Sequence, residues 1–297
     1  MTRLHVLAPG TLSTVQDLGR PGHAGLGVAP SGALDPGSLR LANRIVGNPE
    51  RAAGLELTFG GLTLRADHPC VLAVTGAPVT VTVSVDGENR SYGCGSAVPV
   101  PAGAEVTVST PSSGLRSWLA VRGGLDAPIL LESASTDLLA GINEPLTEGD
   151  VIVVGPEPQD PVPALDGAPL SVPSSDGLVL RVVLGPRHTW FTDGALSSLQ
   201  EAWTVDQRSN RVGLRLTGDP LERVADHRSR ELPSEGAVAG AVQIASNGLP
   251  VLFLADHPVT AGYPVIACVV TDDLPLAAQA VPGQTVRFRP VEGPRLP

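Results

Sequence analysis

Glycine and proline set the limits on what this chain can fold into. Thirty-four glycines and 29 prolines are spread through 297 residues, and they cut the apolar residues into runs too short for long helices. Most of what lies between them reads as strands. Val79, Val81, Val83 and Val85 alternate with Thr80, Thr82 and Ser84 and run into an Asp86-Gly87 turn, the pattern of a half-buried strand. Strand-like runs recur at residues 105–110, 117–122, 151–154, 178–184, 265–270 and 285–291. In residues 211–218, Val212, Leu214 and Leu216 are expected inward and Arg211, Gly213 and Arg215 outward. Helices are few. Asp35-Pro36 supplies an N-cap carboxylate and a proline at the first helical position, and Gly47-Asn48-Pro49 ends that helix. Asp193 is expected to cap a second, and residues 273–280 a third.

Many short strands with few helices, twice over, predict a mainly β protein of two β-barrel-like domains, with a single large sandwich as the alternative. The length suits two cores. The proline-rich stretch from Gly155 to Gly177 reads as the connection between them. The expected division is 1–160, a linker at 161–177, and 178–297.

The net charge of −10 argues against nucleic acid, whose phosphates need a basic face, and against an anionic membrane surface. No apolar run approaches the ~20 residues of a membrane span, and the start, MTRLHVLAPG, has no signal-peptide core. Cys70, Cys94 and Cys268 are odd in number and far apart, which fits buried thiols in a reducing cytoplasm. All 20 basic residues are arginine. The chain therefore has no Schiff-base lysine, no P-loop lysine and no lysine to carry biotin. Any ATP held by a P-loop, or any biotin, would come with another polypeptide.

No GxSxG, GxGxxG or HExxH motif organises the chain. The six histidines are scattered, with no metal-ligand spacing. Carboxylates, amides and arginines at strand–loop junctions remain. Residues 231–264 are the densest such stretch. There Glu235 and Gln243 precede an Asn247-Gly248 turn, Leu249 to Ala255 reads as a strand buried on both faces, and Asp256 ends it. Thr260, Gly262 and Tyr263 close the loop. Glu235, Gln243 and Asp256 are expected in one cleft, with Tyr263 at its edge and Asp256 and Glu235 as catalytic candidates. Gln16, Asp17 and Arg20 form a second group. Arg122, Arg187, Asn210 and Arg211 are further binding candidates, because a guanidinium fork can grip a carboxylate or phosphate bidentately. Arg65, Arg90 and Arg223 read as surface residues in weak ion pairs.

Several long motifs carry a resemblance. TVQDLGRPGHAGLGVAPSGALDPGSLRLANRIVGN (14–48), LRSWLAVRGGLD (115–126), GPR (185–187), SNRVGLRLTG (209–218), PSEGAVAGAVQIASNGLPVLFLADHPVTAGYP (233–264) and DDLPLAAQAVPGQTVRF (272–288) resemble, in order, the biotin-dependent carboxyltransferase family, also called allophanate hydrolase subunit 2-like. The resemblance implies tandem cyclophilin-like β-barrels. It implies one of two settings. The first is the C-type component of an ATP-dependent 5-oxoprolinase, which hydrolyses 5-oxo-L-proline to L-glutamate. The second is the carboxyltransferase part of a urea carboxylase that uses carboxybiotin. In both, the implied partner is an allophanate hydrolase subunit 1-like chain, which in the first setting is the B-type component of 5-oxoprolinase and is joined by the A-type component. A third setting implied by some relatives is a regulatory module that antagonises a kinase inhibitor. The chain departs from the family at Glu132-Ser133-Ala134-Ser135-Thr136, where Gly-Ser-Arg-Ser-Thr is usual, and at Ala261, where glycine is usual.

Overall fold

The computed structural model describes residues 1–163, 167–228 and 230–292, and the chain forms two compact units. The first comprises Met1–Arg20, Ser31–Asp137 and Gly141–Pro173, and the second Pro21–Pro30, Leu138–Ala140 and Ser174–Pro297. Two short segments of the N-terminal half thus group with the second unit, which no run of strands along the sequence could indicate. Residues 164–166 of the expected linker lie outside the described residues.

The first unit holds two antiparallel sheets. One orders Leu125–Asp126, Val151–Val154, Arg3–Pro9, Leu62–Ala66, Glu105–Val108, Thr80–Val85 and Glu88–Gly93. The other orders Leu12–Gln16, Gly54–Thr58, Arg116–Val121, Cys70–Gly76 and Ala97–Val100. Their facing side chains make one core, with Leu4, Leu64 and Val106 from the first sheet meeting Leu55, Leu72 and Leu119 from the second. The alternation read in the sequence decides which residues enter it: Val81 and Val83 are buried, while Thr80 is exposed. Arg116–Val121 is buried at every residue, because its far face is covered by the helix Pro36–Ile45. There Ala42 and Ile45 pack on Ala73 and Ala120. Asp35 caps this helix as expected, its Oδ1 accepting from the Ser38 backbone N–H at 3.0 Å.

The second unit is a closed barrel. Its strands run, in order around the wall, Leu178–Leu184, Val265–Val269, Ala241–Ile244, Pro250–Phe253, Gly213–Thr217, Trp203–Val205 and Thr285–Pro290. The last returns parallel onto the first, Leu180 opposite Phe288. Leu180, Val182, Val242, Leu252, Leu214, Ile266, Val286 and Phe288 are buried, and each such side chain contributes about 1.5–3 kcal/mol by leaving water. A small ribbon, Glu235–Gly236 with Thr260–Ala261, stands apart from the wall. The mainly β architecture is as expected and the second unit closes as a barrel, whereas the first core lies between two separate sheets rather than inside one closed ladder.

Two local expectations are corrected. Thr192, not Asp193, caps the second helix, accepting from the Ala195 N–H at 3.1 Å. Arg211 is fully buried rather than outward, because the strand begins only at Gly213 and the alternation does not reach back to it.

Candidate functional site

In the first unit Gln16, Asp17 and Arg20 come together around residues 130–136. The Asp17 carboxylate accepts from the Ser133 hydroxyl (2.6 Å), the Ser135 hydroxyl (2.6 Å), the Ala134 N–H (2.8 Å) and the Gly19 N–H (2.7 Å). Arg20 donates to the carbonyls of Leu130 and Ser135. Gln16 donates to Thr14 Oγ1 (3.1 Å) and the Thr136 carbonyl (3.0 Å). The three residues therefore bind their own chain. They shape the run in which this sequence departs from its resemblance, and Ala134 is buried there. Glu132 adopts φ 65° and Leu131 φ 51°, left-handed backbone that favours glycine.

Arg122 is a clamp. It donates to Glu157 Oε1 (2.8 Å) and to the carbonyls of Val46 (3.0 Å), Pro158 (2.8 Å) and Asp160 (2.5 Å). Its whole fork is engaged in tying the proline-rich segment to the end of the first helix.

In the second unit the expected single cleft divides in two. Strand register separates its members: Val242 lies opposite Leu252 and Gln243 opposite Val251, so Phe253 falls level with Ala241 and Asp256, three residues on, lies past that end. Gln243, opposite Val265 on its other side, lies toward the Tyr263 end. At the first end Arg211 and Asp256 form a bidentate pair, each 0% exposed. Asp256 Oδ2 also accepts from the Leu138 N–H at 3.1 Å. Asn210 Oδ1 accepts from the Val212 (2.9 Å) and Gly213 (3.3 Å) backbone N–H groups, closing the turn that delivers Arg211. Asp206, in the same turn, is held well below the usual carboxylate range by its hydrogen bonds from Arg208. Asp256 thus has no open oxygen with which to serve a cleft. It neutralises Arg211 and anchors residue 138.

At the second end four expected residues do converge. The Arg187 backbone N–H donates to the Val265 carbonyl at 3.1 Å, and its guanidinium pairs with Glu235. Gln243 Nε2 donates to the Tyr263 carbonyl at 2.9 Å. Tyr263 stays 44% exposed. The sequence reading missed what lies beside them. Trp190 stacks on His227 at 4.3 Å and 9°. The guanidinium groups of Arg187 and Arg230 lie over the Trp190 ring at 5.8 and 5.4 Å, an arrangement the ring's negative face favours. Next to this stack is a cleft of about 840 Å³ lined by Arg223, Arg228, Arg230, Glu222, Glu231 and Tyr263, among others. Arg223, expected as an ordinary surface residue, lines it. The three arginines lie within eight residues of one another, so the charge run itself is visible in the sequence; that it faces a cleft is not, because the opposing walls come from residues 244–248 and 262–263. Among the described residues no cluster of His, Cys, Asp and Glu could hold a metal ion.

The profile of the family described as carboxyltransferase domain, subdomain A and B, matches residues 26–290. The chain belongs to this family. As a carboxyltransferase-domain protein, it is 36% identical to the C-type component of 5-oxoprolinase from Escherichia coli, over 96% of this chain and 90% of that one. It is 30% identical to urea amidolyase of Saccharomyces cerevisiae, over 98% of this chain but 17% of that one. The crystal structure of the Kluyveromyces lactis urea carboxylase superposes with a TM-score of 0.88 at 29% identity, covering 98% of this carboxyltransferase domain and 27% of that chain. No helix among the described residues is long and apolar enough to cross a membrane.

Proposed function

We propose that this chain is the C-type component of an ATP-dependent 5-oxoprolinase complex, which hydrolyses 5-oxo-L-proline to L-glutamate. Its partners in this reading are an allophanate hydrolase subunit 1-like chain (the B-type component) and the A-type component. One observation carries this reading: the match to the E. coli C-type component runs through 96% of this chain and 90% of that protein. The second barrel supports it chemically. 5-Oxo-L-proline presents a carboxylate and a lactam N–H, and the Tyr263 end offers arginine forks, carboxylates and an amide. Opening the lactam needs activation, which ATP supplies by making a better leaving group. With arginine as the sole basic residue type, a P-loop grip on that nucleotide belongs to a partner. A site completed by partners would add positioning, which alone can supply about 7–11 kcal/mol of a barrier.

The second reading, a carboxyltransferase of a urea carboxylase-like enzyme, is favoured by the TM-score of 0.88 to the urea carboxylase structure. In that reading biotin arrives on a partner's carrier lysine. One experiment separates the two. The chain is purified with the A-type and B-type chains from the same source, and glutamate release is measured with 5-oxo-L-proline and ATP. ATP-dependent release by the mixture, absent with this chain alone, is the expected result. No release, combined with urea-dependent consumption of carboxybiotin, transfers the chain to the second reading. Complex formation without either turnover would favour a regulatory module.

A further inference from the structure

We propose that the cleft at the Tyr263 end of the second barrel binds a compact monocarboxylate that also carries an N–H donor. The charge balance identifies the ligand class. Three arginines, Arg223, Arg228 and Arg230, and two carboxylates, Glu222 and Glu231, line the cleft, which leaves one positive charge. None of the five is in an ion pair among the described residues. A single carboxylate matches that excess and suits a guanidinium fork. An N–H donor answers the glutamates, which a ligand made only of acceptors would leave opposed. Inorganic phosphate carries between one and two charges at neutral pH and no N–H group, and fits less well.

Two of the arginines, Arg223 and Arg230, and the Tyr263 backbone are set in place by their neighbours. Arg230 is oriented by the Trp190 ring, itself stacked on His227. Arg223 Nη1 donates to the Arg230 carbonyl at 3.2 Å, tying the two ends of one arginine-bearing stretch together. Gln243 holds the Tyr263 backbone. The floor is made by Leu221 and Ile244, both buried. Gly248 closes it: its φ is 78°, and a Cβ there would stand 2.7 Å from that of Pro220, so the turn can approach only as glycine. Its carbonyl accepts from the Leu221 N–H at 2.9 Å. Such pre-setting lowers the entropy lost on binding. A volume of about 840 Å³ is within the range of small-molecule sites.

The choice of probe rests on the 5-oxoprolinase reading; the placement of the site does not. Calorimetric titration of the full chain would compare 5-oxo-L-proline with cyclopentanecarboxylate, which lacks the ring amide, with 2-pyrrolidinone, which lacks the carboxylate, and with inorganic phosphate. 5-Oxo-L-proline should bind, and loss of either group should weaken Kd about tenfold or more. Arg228→Gln and Arg230→Gln should each weaken it by about tenfold; both side chains are exposed, so folding is preserved. Arg65→Gln, in the first unit, should leave it unchanged. The proposal is overturned by equal binding of cyclopentanecarboxylate or phosphate. It is also overturned by unaltered binding in the Arg228→Gln, Arg230→Gln double variant, or by no binding in either the chain or the assembled complex. Turnover of 5-oxo-L-proline with KM unchanged in the double variant would remove the site and keep the reaction. Arginine-dependent binding without turnover would keep the site and remove the reaction.

Discussion

Arg211 and Asp256 meet through two parallel hydrogen bonds, Nε to Oδ2 and Nη2 to Oδ1, each 2.9 Å, and neither side chain is exposed to solvent. A buried pair of this kind is costly to break from one side, because the remaining charge is stranded away from water. Asp256→Asn should therefore destabilise the protein by about 3–5 kcal/mol, and the paired replacement Arg211→Met with Asp256→Leu should recover part of the loss. Urea unfolding of both variants checks this. An unchanged midpoint in Asp256→Asn would mean the pair is not what holds this end of the barrel.

Arg187 and Glu235 form the contrasting pair, each about one-third exposed (33% and 36%). Exposed pairs contribute little to stability, so Glu235→Gln should leave the melting temperature nearly unchanged. In the assembled complex it should reduce turnover about 100-fold or more, the range for a lost general acid or base. Melting and glutamate release measured on the same preparation would decide; a stability loss with full activity would make the pair purely structural.

Asp273 supplies a pH dependence. Arg181 donates to it from the side chain (Nη2 to Oδ1, 2.7 Å) and from the backbone (2.7 Å), and these bonds, side-chain ones first, hold its carboxyl below the ordinary range. With the folded value below the unfolded one, the stabilisation is complete above the unfolded pKa of about 3.9 and is lost as pH falls through the folded value. Asp273→Asn should be less stable than the wild type at neutral pH, and the deficit should shrink as the medium is acidified below that pKa. Urea midpoints at neutral and acid pH test it, and an equal deficit at both would contradict it.

Burial pushes the Cys70 thiol up to about 11, and it raises Cys94 and Cys268 as well. The reactive thiolate is therefore scarce at mildly alkaline pH. Iodoacetamide should label the native protein slowly and the urea-unfolded protein quickly, as read by mass spectrometry. Prompt labelling of native Cys70 would count against this.

Glu132 carries a conformational penalty at φ 65°. Glu132→Gly should relieve it and stabilise the first unit by about 0.5–1 kcal/mol, the left-handed strain less the extra freedom glycine has when unfolded. A lower urea midpoint would show that the Glu132 side chain contributes more than its backbone costs.

The strand content, the first helix and its cap, and the absence of lysine-based chemistry were all legible in the sequence, because each depends on composition or on neighbours within a few residues. Alternation at Val81 and Val83 marked the core, and Asp35-Pro36 marked a helix start. The Tyr263 end was legible in part: Arg187, Glu235, Gln243 and Tyr263 were candidates and do converge. Which end of the barrel each residue occupies was not legible. That follows from strand register, and the pairing of Val242 with Leu252 is what sends Asp256 to one end and Gln243 to the other. Nor could local pattern tell a cleft-lining arginine from a buried or clamping one. Proximity to glycine-rich turns marks Arg122 and Arg211 as binding candidates and Arg223 as a surface residue, and the fold does not follow that division. The fold gives the first four nearby acceptors and the second a buried carboxylate, and it leaves the third in an open cleft. A charge is defined by what surrounds it, and those surroundings come from segments tens of residues away.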